Sequence, residues 1–103
     1  MKRDDAQQPM TPLCKRMLYE RERLNAQATE LLALLLDKQG VTPQELSERL
    51  GKSRSFVSQV LSGSRSVSVG TLSDMFVLLD KSLHVFVGPL GSRHYPQEKA
   101  SLI

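Results

Sequence analysis

Arg54, Ser55, Ser58 and Gln59 are spaced so that, in a helix, all four side chains share one face. Their chemistry is that of base-edge recognition. A guanidinium can hold the major-groove edge of guanine with two hydrogen bonds, a carboxamide can do the same for adenine, and a hydroxyl serves either. Side chains this slim also let a helix enter a major groove about 12 Å wide. Lys52 and Arg65 flank the face and stand where they would neutralise phosphates on either side of it. Thr42, Ser53 and Ser68 each precede a helical pattern. Each therefore opens a helix whose terminal backbone N–H groups can hold phosphate without regard to sequence, and Gln44 joins this phosphate-facing set.

Other chemistries find little support. There is no nucleophile–base set and no glycine-rich phosphate loop, so catalysis is not expected. Cys14, His84 and His94 lie too far apart to give a metal-ligand spacing, and neither a metal nor a cofactor is implied. His84 reads as a strand residue. Cys14 is the only cysteine, so an internal disulfide is impossible and a reducing compartment is suited. As a redox sensor it has only a nearby helix start to recommend it.

Charge and composition set the limits. The net charge of +3 permits nucleic acid as a partner without demanding it. Its distribution says more: residues 49–73 hold Arg49, Lys52, Arg54 and Arg65 and no acid, while Glu20, Glu22, Glu30, Asp37, Glu45 and Glu48 lie outside the reading face. The 103 residues make one domain, and with no tryptophan its core must be built mainly from leucine and valine. The longest apolar run, 31–36, is far short of the roughly 20 residues that span a bilayer. The start Met-Lys-Arg-Asp-Asp lacks the apolar stretch of a signal peptide. A cytoplasmic protein without a membrane partner is expected.

The elements that must position the polar face can be read from their punctuation. Residues 1–10 are polar and aperiodic, a flexible tail. Thr11-Pro12 is a helix start, and residues 13–39 contain neither glycine nor proline before Gly40 stops them. They form one long helix, or two with a bend near Asn25. Met17, Leu24, Leu31 and Leu35 run down one side, flanked by Ala28 and Leu32. Thr42-Pro43-Gln44-Glu45 is a second start with a capping box. That helix runs to Leu50, buries Leu46 and Leu50, and ends at Gly51. Ser47 sits where it must cross the next helix closely. Ser53 caps residues 54–62, with Val57, Val60 and Leu61 inside and Phe56 at the edge. Ser68 caps a fourth helix, 69 to about 80, with Leu72, Met75, Phe76 and Leu79 inside. Residues 83–87 are β-branched and aromatic and read as a strand, followed by a loose tail over 88–103. Serine recurs through 53–68, but a serine linker would lack the apolar residues interleaved there at helical spacing. A bundle binding protein through this surface is disfavoured by the acid-free basic window.

The run from Val41 to Gly63 resembles the Cro/lambda-repressor-type helix-turn-helix, the XRE family. It carries the Thr cap, Gln44-Glu45, Leu46-Ser47, the Gly51 turn, the Ser53-Arg54-Ser55 opening, the inner Val57 and the closing Gly63. Ser66-Val67-Ser68-Val69-Gly70-Thr71-Leu72 resembles the opening of the family's next helix, and the likeness covers roughly residues 25–87. It implies an all-α, lambda-repressor-like bundle, here with a long N-terminal helix and one short C-terminal strand. The helix-turn-helix proper occupies about 42–62 within a DNA-binding domain over 11–87. By position, Arg54, Ser55 and Ser58 fall where family members touch bases, with Gln59 at the margin. Thr42, Ser53 and the loop near Arg65 fall where they touch phosphates. Two residues depart from the family pattern: Pro43 stands where a glutamine is common, and Leu61 where a glutamate is common.

Two functions share this motif. One is a transcriptional repressor reading a palindromic operator in double-stranded DNA. The other is the antitoxin of a toxin–antitoxin pair, which binds DNA and also a toxin protein. A homodimer is expected, because one small module buries little surface on DNA while two-fold dimers read two half-sites. A lone strand leaves its backbone groups unpaired, so Leu83, Val85 and Val87 are expected to pair with the same strand of a second copy. Residues 13–24 offer the competing contact.

Overall fold

The computed structural model describes residues 11–90. Four helices follow one another: α1 (Pro12–Gln39), α2 (Pro43–Leu50), α3 (Arg54–Leu61) and α4 (Val69–Val77). All four start as their sequence dictates. The hydroxyls of Thr11, Thr42, Ser53 and Ser68 each accept a hydrogen bond from the backbone N–H three residues on, which satisfies one of the orphan donors of each helix end. Gly40 and Gly51 take left-handed φ values of 66° and 75°, so the chain leaves α1 and α2 abruptly.

The core draws on every helix. Leu32, Leu35 and Leu36 come from α1, Leu46 from α2, Val57 and Val60 from α3, and Met75 and Phe76 from α4, with Leu79 just beyond it. Ser47 is 3% exposed, and its hydroxyl donates to the Gln44 carbonyl at 2.7 Å. It is the small buried residue expected where α2 and α3 approach.

Three expectations need correction. First, α1 is a single helix, but its buried side is Thr29, Leu32, Leu35 and Leu36. Met17 and Leu24 lie beyond the reach of the small core and remain 53% and 59% exposed. Second, α4 ends at Val77, not near Asp80. The N–H of Lys81 returns to the Phe76 carbonyl at 2.9 Å and Asp80 adopts φ 65°, a left-handed turn that aspartate tolerates better than most residues. Third, residues 83–87 form no strand within the single chain, and none occurs among the described residues. A strand exists through its ladder, and no neighbouring segment supplies one. Leu83 packs against the protein's own core, while Val85 and Val87 are 71% and 97% exposed. The expected tail at 1–10 and most of that at 88–103 lie outside the described residues. No described helix is long and apolar enough to cross a membrane.

Candidate nucleic-acid interface

Helix α3 turns Val57 and Val60 into the core and half-buries Phe56 and Leu61, which leaves Arg54, Ser55, Ser58 and Gln59 exposed together. Their grouping follows from helical periodicity, and their outward aim follows from the valines. The Gly51 turn sets the angle between α2 and α3. The N–H groups of Gly51 and Lys52 both return to the Ser47 carbonyl, at 2.9 and 3.1 Å.

The polar face is pre-arranged by side-chain hydrogen bonds. Arg54 Nη1 donates to Gln44 Oε1 at 3.4 Å, and Gln44 Nε2 donates to Glu48 Oε2 at 3.0 Å. Gln44 thus links α2 to the first residue of α3 and brings Glu48 to the edge of the basic surface. On the other side, Arg65 Nη1 donates to Gln59 Oε1 at 3.0 Å, and Gln59 Nε2 donates to Ser55 Oγ at 3.3 Å. Gln59 must exchange these partners before it can reach a base.

Phe56 organises the flanking cations. The Arg65 guanidinium carbon lies 4.8 Å from the ring centroid and the Lys52 ammonium 5.7 Å from it, so one ring holds both cations beside the start of α3. Helical periodicity places Phe56 only at the edge of the apolar stripe. The available signal was an aromatic four residues from a lysine that precedes the helix and nine from an arginine beyond it, so no helical spacing rule joins the three.

The helix N-termini differ in what they can offer a phosphate. Ser53 Oγ is occupied by the Phe56 N–H, which leaves the N–H groups of Arg54 and Ser55 at the open end of α3. At α2 the first helical residue is Pro43, which has no N–H, and Thr42 is engaged in a capping box. The Glu45 carboxylate accepts from Thr42 N at 2.9 Å and from its Oγ1 at 3.2 Å. These bonds, the backbone one foremost, hold its carboxyl below the usual glutamate range. Ser68 caps α4 and also donates to Thr71 Oγ1 at 3.1 Å. The loop between α3 and α4 is secured from α1, whose Asn25 Nδ2 donates to the Gly63 carbonyl at 3.2 Å. The remaining expected residues, Leu83, Val85 and Val87, belong to the C-terminal segment and not to this surface.

No group of three or more His, Cys, Asp or Glu side chains among the described residues is arranged to hold a metal ion. The comparisons with curated proteins and with solved structures give no match. A family model described as helix-turn-helix matches residues 32–86, more than half of the chain. The matched span contains the whole core and the α2–α3 pair, and the chain belongs to the XRE-type, Cro/lambda-repressor-like helix-turn-helix family of DNA-binding domains.

Proposed function

We propose that the protein is a transcriptional repressor that reads a two-fold symmetric operator as a homodimer, with α3 in the major groove. The observation that supports this most directly is the exposed face of Arg54, Ser55, Ser58 and Gln59, bounded by two cations stacked on Phe56. Arg54 reads a guanine, and Ser55, Ser58 and Gln59 make the neighbouring base contacts. Lys52, Arg65, Gln44, Thr42 and the helix starts at Ser53 and Ser68 contact phosphates and set the register of α3 in the groove.

Selection of binding sites from a random duplex pool by the full-length protein should enrich a symmetric sequence with half-site centres about 34 Å apart. On that sequence Arg54→Ala should cost about 1–3 kcal/mol and flatten preference at one position of each half-site. Lys52→Ala should weaken all duplexes alike and reduce the salt slope. A parent protein without sequence preference, or an Arg54→Ala variant that keeps both affinity and preference, would refute the assignment of α3.

A further inference from the structure

The Gln44 carboxamide lies between a group that can only donate and a group that can only accept. Every polar atom of the Arg54 guanidinium is a donor, and both oxygens of the Glu48 carboxylate are acceptors. One orientation of the carboxamide satisfies both, with Oε1 toward Arg54 and Nε2 toward Glu48, and Gln44 adopts it, at 3.4 and 3.0 Å. Gln44 and Glu48 are four residues apart in α2, so the helix itself brings the shorter of these bonds together. All three side chains are exposed.

An acid at position 48 is otherwise unfavourable. Glu48 stands in the last turn of α2, where the helix dipole disfavours an anion. It also borders the surface of Lys52, Arg54 and Arg65, where a negative charge repels phosphate. What it supplies there is direction. We propose that Glu48 is a specificity-determining positioning residue: through Gln44 it holds Arg54 in the orientation that reads one base, while lowering affinity for DNA of any sequence. This rests on the reading of α3 given above.

The geometry suits that role. Gln44 engages Nη1 of Arg54 and leaves the Nε–Nη2 edge, a pair of donors that matches guanine O6 and N7. Gln44 also keeps a second N–H for a phosphate. Without Glu48 the carboxamide is free to turn, and its NH2 group then faces the guanidinium donor to donor and releases it. A released Arg54 samples more rotamers, so more entropy is lost when it orders on a base. It can also reach phosphates, which every sequence presents.

Anisotropy titrations of the full-length chain test this on three kinds of duplex: the sequence it selects from a random pool, single-base-pair variants of that sequence, and an unrelated sequence. Arg54→Ala marks the base pair of each half-site that Arg54 reads. At that base pair Glu48→Ala should lower the discrimination ratio about fivefold, with ratios elsewhere kept within about twofold. The same variant should bind the unrelated duplex about two- to threefold more tightly, because an acid has left the surface. A merely structural role would not move the two readouts in opposite directions. Glu48→Gln keeps an acceptor for Gln44 but loses the charge. It should therefore show the tighter general binding, with discrimination within about twofold of the parent. In a Gln44→Ala background, where the link is already cut, Glu48→Ala should reduce discrimination no further. Unchanged discrimination in Glu48→Ala would overturn the proposal and leave the α3 assignment standing, since Arg54→Ala tests that assignment by itself. An equal loss at every base pair would also overturn it, as the mark of a damaged fold. So would a loss confined to a different base pair, as the mark of direct contact by Glu48.

Discussion

At the scale of single residues, the interface is organised by two side chains that would not themselves read a base. Gln44 bridges Glu48 and Arg54, and the Phe56 ring carries Lys52 and Arg65. A cation over a half-buried ring such as this one gains about 0.5–1 kcal/mol or somewhat more, enough to favour one rotamer of a long side chain. Phe56→Leu keeps an apolar residue at the rim of the core but removes the π face. It should therefore weaken binding to every duplex by a few-fold while leaving base preference intact, at a stability cost below about 1.5 kcal/mol. Anisotropy titrations on the selected operator and on single-mismatch duplexes check this. A change of preference at one base would mean that Phe56 acts on readout and not through Lys52 and Arg65.

At the scale of elements, α2 is a short helix that depends on its first turn. Eight residues cannot hold a helix by propensity, so the capping box contributes a large share of its local stability. Thr42→Ala should cost about 1 kcal/mol. Glu45 makes the same element sensitive to pH. Its carboxyl is held below the usual range by bonds to Thr42, so the folded state binds this proton less readily than the unfolded state does. The stabilisation is complete above the ordinary glutamate range and is lost as pH falls through the depressed folded value. Glu45→Gln should accordingly be less stable than the parent at neutral pH, and the two should converge in acid. Urea melts at pH 7 and at about pH 3, below the ordinary glutamate value, test the convergence. A constant gap at both pH values would show that the carboxylate charge is not what stabilises the turn.

For the whole molecule, one cluster from all four helices serves as the only described core, so α3 cannot be held in place independently of α1 and α4. Leu32 is fully buried at its centre. Leu32→Ala should cost about 2–5 kcal/mol, a large fraction of the stability of about 5–15 kcal/mol common to native proteins. Urea titrations followed by circular dichroism and by operator binding should shift together to a lower midpoint. Two separated transitions would instead divide α3 from the rest of the fold.

The sequence by itself determined the helices and the polar face of α3. Thr11, Thr42, Ser53 and Ser68 cap through local hydrogen bonds, Gly40 and Gly51 end helices through a local backbone conformation, and periodicity alone separates Val57 and Val60 from Arg54 and Ser58. These are interactions within one turn, so neighbouring residues suffice to specify them. What only the tertiary structure decided depends on segments distant in the chain. The apolar pattern of α1 looked continuous, but whether Met17 and Leu24 are buried depends on how far the other helices reach, and they do not reach that far. Residues 83–87 have the composition of a strand, but pairing requires a second segment, which the chain's own fold does not place beside them, and Leu83 packs against the core. The Phe56 platform likewise appears only when the loop after α3 folds back and carries Arg65 over the ring.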